Sequence, residues 1–170
     1  ATGRDIELDV DAVVVGHGLV PSAEIPRLLG ARMVLDPVGG GWCPVTDAVG
    51  LTSVPRLHAV GDGARIRGGR IAPLAGRLAG LAVARETGML SPARAAALMA
   101  PHHAELARLG PAATRIATTM RLRPGQIDGI TPGTIVCRCE DVTRADLDAA
   151  IEAGARDLNQ LKHGTRCGMG

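Results

Sequence analysis

The chain has 170 residues, 46% of them hydrophobic and 21% charged, a composition typical of one medium-sized globular domain or two small ones. Phe and Tyr are absent and Trp42 is the only Trp, which argues strongly against a platform that stacks nucleic-acid bases. The formal net charge of +2 also argues against a polyanion-binding segment. We therefore expect no nucleic-acid partner.

The sequence carries no signal for membrane insertion or export. No apolar run approaches the roughly 18 to 20 residues that cross a bilayer, and no signal-peptide pattern opens the chain. We expect no integral membrane segment and a cytoplasmic location. The chain begins with Ala1 rather than Met and stops at Gly170 directly after a dense Cys-Gly-Met-Gly cluster, so we also expect a fragment.

The first elements predicted are a strand, a turn and a helix. Residues 11–16 form a short β-branched run between an acid and a glycine, which is typical of a buried parallel strand. A glycine turn that contains His17 follows. A short helix is predicted from about Pro21 to Leu29, ending at Gly30.

A second unit of the same kind follows a Gly39-Gly40-Gly41 turn. The apolar residues 57–60 predict a strand that runs into Gly61-Asp62-Gly63, and a helix is predicted over about 72–87. Its glycines, Gly76 and Gly80, are four residues apart and predict close packing of this helix against a sheet.

The remaining sequence predicts helices. Ser91-Pro92 begins the first, and Pro101 and Pro111 divide the region into helices over 92–100, 102–109 and 111–122, with a linker at 123–125. A new unit begins at Thr134 with a short extended segment, Thr134–Val136. Thr143 and Asp146 have the spacing of a capping box for a helix that ends before Gly154, and Asp157 predicts a second helix to His163.

Gly61-Asp62-Gly63 has a carboxylate just after a predicted strand and ahead of a helix. This carboxylate is placed to accept hydrogen bonds from a sugar-like hydroxyl, and the N-terminus of the following helix suits a pyrophosphate. A bare Gly-Asp-Gly is also common in ordinary turns. The sequence alone leaves both interpretations open.

The surrounding residues favour the ligand-binding interpretation. The segment 52–62, Thr-Ser-Val-Pro-Arg-Leu-His-Ala-Val-Gly-Asp, resembles the second flavin-binding segment of two-dinucleotide-domain flavoproteins. Residues 11–22 resemble the strand and turn that re-enter the FAD domain in the same family. The resemblance implies that Asp62 binds the ribityl chain of FAD and that Gly61 and Gly63 let its phosphates approach. It also implies that the first glycine fingerprint lies upstream of this chain, and that His17 is either near the flavin or a turn residue.

Three of the four cysteines lie in the last third of the chain. Cys137 and Cys139 are separated by one residue, Cys167 follows 28 positions later, and Cys43 has no cysteine near it and is interpreted as an inert thiol. Clustered thiols in a cytoplasmic setting are more often metal or cluster ligands than disulfides. A zinc site formed by Cys137, Cys139, His163 and Cys167 is an alternative, although zinc-binding cysteines usually have two to four residues between them.

Residues 136–143 together with 161–170 resemble the [2Fe-2S] module of bacterioferritin-associated ferredoxin (BFD) type. They resemble more closely the copy at the C-terminus of the flavoprotein subunit of opine oxidase, hydrogen cyanide synthase and related amine dehydrogenases. The resemblance implies that Cys137 and Cys139 are cluster ligands, that Cys167 is either a third ligand or a neighbour, and that further ligands follow Gly170.

We therefore predict an α/β chain: a partial two-dinucleotide-binding-domain flavoprotein fold over 1–90, a helical connector over 91–133, and a truncated, mostly helical BFD-like domain over 134–170. The resemblance implies an FAD-dependent oxidoreductase subunit that passes electrons from a small amine or amino acid through flavin to a [2Fe-2S] cluster, with NAD(P) as a further candidate cofactor. It also implies that the partner is a second flavoprotein subunit, and that this chain is inactive by itself. A zinc-stabilised, non-enzymatic interaction module is the alternative, and no residue is assigned as a catalytic base.

Overall fold

The structure is a computed structural model, and it describes residues 7–14, 16 and 18–169. These residues form two compact units, one up to Leu122 and one from Arg123 onward. The first unit contains α1 (Glu24–Leu28), β1 (Met33–Asp36), β2 (Gly41–Pro44), a 3-10 turn (Gly61–Gly63), α2 (Ile71–Glu86) and α3 (Pro92–Met120). The second contains α4 (Pro124–Asp128), β3 (Ile135–Cys137), β4 (Val142–Thr143), α5 (Arg144–Glu152) and α6 (Leu158–Thr165).

The core of the first unit lies between α2 and α3. Leu78 and Ala82 of α2 are fully buried and cluster with Met99 of α3. Small side chains at the contact let the two helices pack closely. Gly76 and Gly80, predicted to pack against a sheet, do not do so, and a Cβ at either would meet open space. That prediction is wrong, because α2 packs through its Leu78 face against a helix.

The region after Ser91 forms one long helix, not the three predicted. Ser91 caps α3 as expected, since its Oγ accepts a hydrogen bond from Arg94 N at 3.3 Å and Pro92 occupies the first turn. Pro101 and Pro111 nevertheless lie inside the helix. Each lacks the N–H of the helical ladder but has a backbone φ compatible with a helix. Packing on α2 therefore outweighs the helix-breaking tendency of the two prolines.

The predicted parallel strands are absent from the described residues. Residues 11–14 form no strand, and Val13 and Val14 are 76% and 98% exposed. Residues 57–60 make only an isolated bridge, between Leu51 and His58. A strand needs a hydrogen-bonded neighbour, and no described residue supplies a parallel one for either segment. The partial dinucleotide-binding fold is therefore not present in the part of the chain that the structure describes.

The sheet of the first unit is a hairpin at a place where the sequence predicted only a turn. β1 and β2 pair antiparallel, with Met33 opposite Pro44 and Asp36 opposite Gly41. The Asp36 carboxylate accepts hydrogen bonds from the Val38 and Gly39 N–H groups, both at 3.0 Å. This side chain stabilises the turn.

The second unit follows its predicted elements closely. β3 and β4 pair antiparallel, and α5 begins with the predicted capping box, in which Thr143 and Asp146 each bond the other's backbone N–H. The Asp157 side chain accepts from Gln160 N at 2.9 Å and caps α6, which continues two residues beyond His163. Residues 123–125, predicted as a linker, are instead the N-cap and the start of α4, which runs from Pro124 to Asp128.

None of the helices in the described part of the chain combines the length and the apolar character that crossing a bilayer requires.

Candidate metal centre

Two cysteines lie on the short connection between β3 and β4. Cys137 ends β3 and is buried, whereas Cys139 lies in the turn and is exposed. Cys137 pairs with Val142, so the chain reverses within residues 138–141. Asp141 has a φ of 51°, in the left-handed region, which completes this tight reversal. The hairpin therefore holds one thiol inside the unit and presents the other to solvent.

The segment after α6 folds back onto this turn. Arg166 and Gly168 have φ values of 61° and 72°, so the backbone turns sharply at both positions. The Gly168 N–H donates to Cys137 Sγ at 3.2 Å, across 31 residues of sequence. Thr165 Oγ1 accepts a hydrogen bond from Cys167 N at 3.2 Å and so restrains the backbone at Arg166, which lies between them. Cys137 and the Cys167–Gly168 segment therefore come together.

The local hydrogen bonds distinguish two of the thiols. The Gly168 N–H is the main cause that lowers the pKa of Cys137, and the N–H groups of Glu140 and Cys139 act in the same direction. Burial and the neighbouring Cys137 raise the pKa of Cys167, while Lys162 opposes that rise. Cys137 is therefore the cysteine whose thiolate this site stabilises, and a thiolate is the form that binds metal.

An ion pair that no sequence pattern predicted joins the two segments. Arg166 Nε lies 2.8 Å from Glu140 Oε2, and Arg166 Nη2 lies 3.3 Å from Glu140 Oε1. The Arg166 hydrogen bond is the main cause that lowers the pKa of Glu140. The only sequence signal was that Glu140 and Arg166 carry opposite charges and each adjoin a cysteine. Their spacing in the sequence gave no indication that the two side chains meet.

The described residues, which include every cysteine and His163, contain no group of three His, Cys, Asp or Glu side chains close enough to hold a metal ion. The structure therefore assembles neither the zinc set of Cys137, Cys139, His163 and Cys167 nor the three-cysteine set of Cys137, Cys139 and Cys167. A [2Fe-2S] cluster has four protein ligands and accepts N–H donors to its sulfurs. A thiolate at Cys137 with backbone N–H groups aimed at it fits part of such a set. Cys137 and Cys139 are the residues that would hold it.

The Gly61-Asp62-Gly63 segment belongs to the first unit, whereas Cys137, Cys139 and Cys167 belong to the second. The Ser22 N–H donates to the Asp62 carbonyl at 2.9 Å, so the two segments resembling flavin-binding motifs meet. Gly61 has a φ of 59° and lies beside Ala72, in the first turn of α2. The Asp62 residue is exposed. The exposed Asp62 and the glycine backbone beside the first turn of α2 are the parts of this unit that could hold a hydroxylated, phosphate-bearing ligand.

The sequence singled out two further residues, His17 and Cys43. His17 lies outside the described residues. Cys43 is fully buried and 3.8 Å from the Gly39 carbonyl oxygen, and burial is the main cause that raises its pKa, which fits the inert thiol predicted.

Residues 135–170 match the family model of the BFD-like [2Fe-2S] binding domain. Hydrogen cyanide synthase subunit HcnB of Pseudomonas aeruginosa is 32% identical over 160 residues, which cover 93% of this chain and 34% of that protein. An opine oxidase subunit of Rhizobium meliloti strain 1021 is 34% identical over 171 residues, covering 98% of this chain and 36% of that protein.

A shorter match is to a subunit of the anaerobic glycerol-3-phosphate dehydrogenase of Haloferax volcanii, 39% identical over 44 residues, which cover 26% of this chain and 8% of that protein. The chain spans about a third of the length of the two relatives that match more than nine tenths of it. No solved structure is significantly similar to it. The resemblance stated from sequence is confirmed.

Proposed function

We propose that this chain, which is similar over nearly its whole length to hydrogen cyanide synthase subunit HcnB and to an opine oxidase subunit, is part of an oxidoreductase subunit that transfers electrons through an iron–sulfur cluster. The relatives that cover nearly the whole chain are subunits of a synthase and of an oxidase, and the shorter match is to a dehydrogenase subunit. Electron transfer is the function that a cluster-binding domain would supply to each of them.

The observation that carries the proposal is the hydrogen bond from the Gly168 N–H to Cys137 Sγ, within the region that matches the cluster-binding domain. Such donors stabilise a thiolate and tune an iron–sulfur centre. Cys137 and Cys139 would be ligands. A bound [2Fe-2S] cluster would supply a one-electron relay. The remaining ligands and the part played by Cys167 belong to the same proposal.

We further propose FAD as the two-electron partner of this cluster. The support is the contact between the Ser22 and Asp62 segments, the exposed position of Asp62, and the position of its neighbour Gly61 beside the first turn of α2. Gly61 and Gly63 would let the flavin phosphates approach. A flavin accepts a hydride and releases single electrons, so a one-electron centre in the same protein is a chemically sensible outlet. NAD(P) is a candidate second cofactor.

The proposed substrate is a small amine or amino acid, and the proposed partner is a second flavoprotein subunit. The support is in the relatives' names, which describe subunits of an opine oxidase and of a hydrogen cyanide synthase. The free thiols favour a reducing compartment, and we propose the cytoplasm. This chain alone is proposed to be inactive.

The test is to express the full-length gene product anaerobically with iron supplied, and to measure flavin, iron and acid-labile sulfide per chain. We expect both a flavin spectrum and about two iron and two sulfide per chain. Cys137→Ser and Cys139→Ser variants should lose most of the iron and keep the flavin. Asp62→Ala should lose flavin and keep iron.

Cys43→Ser is the matched control, because its thiol lies in the first unit and has no part in the proposed centre. It should keep both cofactors. Colourless protein with bound zinc would contradict the electron-transfer proposal and favour the zinc-stabilised module.

A further inference from the structure

We propose that the Glu140–Arg166 ion pair positions the two cysteine-bearing segments and thereby holds the Gly168 amide on Cys137. Neither side chain is proposed as a cluster ligand. The inference rests on the proposed function, because the property it is expected to change is that of a bound cluster.

The pair is placed to act on both segments at once. Glu140 directly follows Cys139, and Arg166 directly precedes Cys167, so one contact joins chain segments 26 residues apart. The two bonds, at 2.8 and 3.3 Å, use the two oxygens of the carboxylate and two nitrogens of the guanidinium. A bidentate contact of this kind restrains orientation as well as distance.

The backbone on the Arg166 side depends on such a restraint. Arg166 has a left-handed φ of 61°, which is unfavourable for a residue with a Cβ. Its N–H donates to the Lys162 carbonyl at 2.7 Å, and its carbonyl accepts from Met169 N at 3.1 Å. The Gly168 N–H that reaches Cys137 lies within this turn. The side-chain pair therefore restrains the same turn that aims the amide.

The turn on the Glu140 side, residues 138–141, also contains a residue with a left-handed backbone conformation. Asp141, next to Glu140, also has a left-handed φ, of 51°, and the Glu140 and Cys139 N–H groups face Cys137. Both side chains are partly solvated, with 68% of Arg166 and 24% of Glu140 exposed. Exposed ion pairs contribute little to global stability. The expected effect is therefore on the local geometry at the sulfur.

The decisive experiment measures the midpoint potential of the cluster in the full-length protein with Glu140→Ala or Arg166→Ala. An N–H donor to a ligand sulfur stabilises the reduced cluster, because that state carries more negative charge, and so raises the midpoint potential. If the pair positions Gly168, both substitutions release that amide and both make the potential more negative. If the two side chains act only through their charges, the potentials move in opposite directions, and the inference is overturned.

A second measurement follows the loss of iron to a chelator. Both single variants should lose iron about three- to fivefold faster than wild type, on the scale of an exposed ion pair. The double variant Glu140→Arg/Arg166→Glu should recover most of the wild-type rate and potential. Arg144→Gln is the matched control, because Arg144 makes a 2.8 Å pair with Asp148 in the same unit, on α5. It should change neither property.

Amide hydrogen exchange at Gly168 in the iron-free protein separates this inference from the proposed function. Faster exchange in both alanine variants, with no change in Arg144→Gln, is the expected result. Unchanged exchange would overturn the positioning role whether or not a cluster binds. A wild-type protein that takes up no iron would instead contradict the proposed function, and the exchange result would still decide the positioning role.

Discussion

Cys137 is the residue whose local environment favours a charged thiolate. Its pKa lies below the ordinary value of 9.0, first because the Gly168 N–H donates to its sulfur. In the iron-free protein, its contribution to stability should grow as the pH rises from this lowered pKa toward 9.0, because over that range only the unfolded chain keeps the proton.

Urea unfolding of the wild type and of Cys137→Ala across this pH range measures that contribution. The difference in the free energy of unfolding should widen with rising pH. A difference that narrows would show that the folded state favours the neutral thiol.

Gly40 is a residue for which the structure allows no side chain. It has a φ of 101°, and a Cβ there would lie 2.6 Å from the Leu19 carbonyl oxygen. We expect Gly40→Ala to lower the free energy of unfolding by about 2–4 kcal/mol, from backbone strain and overlap together.

Gly30→Ala is the control for that substitution, because Gly30 has a similar φ of 80° but faces open space. It should lower the free energy by only about 1 kcal/mol. Chemical denaturation measures both variants. Equal losses in the free energy of unfolding would mean that overlap of the added Cβ with the Leu19 carbonyl oxygen costs nothing.

The individual chemistry-bearing residues were partly predictable. The close spacing of Cys137 and Cys139, with one residue between them, predicted a thiol site, and the sequence also predicted the Thr143 capping box. Both are local patterns. The Glu140–Arg166 pair and the Gly168 amide depend on contacts across 26 and 31 residues. Local patterns carry no information about such distances.

At the scale of the element, α3 is a helix that stays continuous although it contains two prolines, which ordinarily interrupt a helix. Pro101 removes the hydrogen bond that the Ala97 carbonyl would otherwise accept within the helix. We expect Pro101→Ala to raise the free energy of unfolding by about 1–3 kcal/mol, since α3 is already continuous at this position.

Pro92→Ala is the matched control, because a proline in the first turn displaces no intrahelical bond. Its effect should be within about 0.5 kcal/mol of zero. Denaturation followed by helical circular dichroism measures both variants. A loss of stability in Pro101→Ala would contradict the continuous helix and favour the three separate helices.

The start of α5 gives a prediction for an element in the second unit. Thr143 Oγ1 accepts from Asp146 N at 3.3 Å and donates to Asp146 Oδ2 at 2.7 Å. We expect Thr143→Ala to lower the free energy of unfolding by about 1 kcal/mol.

The same cap carries a pH dependence. The Thr143 hydroxyl is the main cause that lowers the pKa of Asp146 below its usual 3.8. The contribution of this cap is therefore present above pH 3.8 and decreases as the pH falls through the lowered pKa. Unfolding of the wild type and Thr143→Ala should converge in acid, and a constant difference down to low pH would contradict this assignment.

The elements that could be predicted are those whose signals are local. α2, α5 and α6 follow from caps, glycines and apolar spacing. The strands expected at 11–16 and 57–60 are absent among the described residues because a parallel strand depends on a neighbour elsewhere in the sequence. The β1–β2 hairpin was missed because its four-residue strands have no clear alternation of polar and apolar side chains.

At the scale of the whole molecule, the two units give unequal support to the two proposed cofactors. The second unit carries the match to a cluster-binding domain, and its cysteine segments meet. The first unit brings the Ser22 and Asp62 segments together without a dinucleotide-binding sheet among the described residues. The domain boundaries at residues 90 and 133 stay predictions. α3, placed in the predicted connector, belongs to the first unit.

The most direct test of the iron–sulfur proposal is the electron paramagnetic resonance spectrum of the full-length gene product after one-electron reduction. We predict a [2Fe-2S] signal of about one spin per chain. That signal should disappear in Cys137→Ser and persist in Cys43→Ser. A reduced wild-type protein that shows no such signal, although iron was supplied without oxygen, would contradict the proposal.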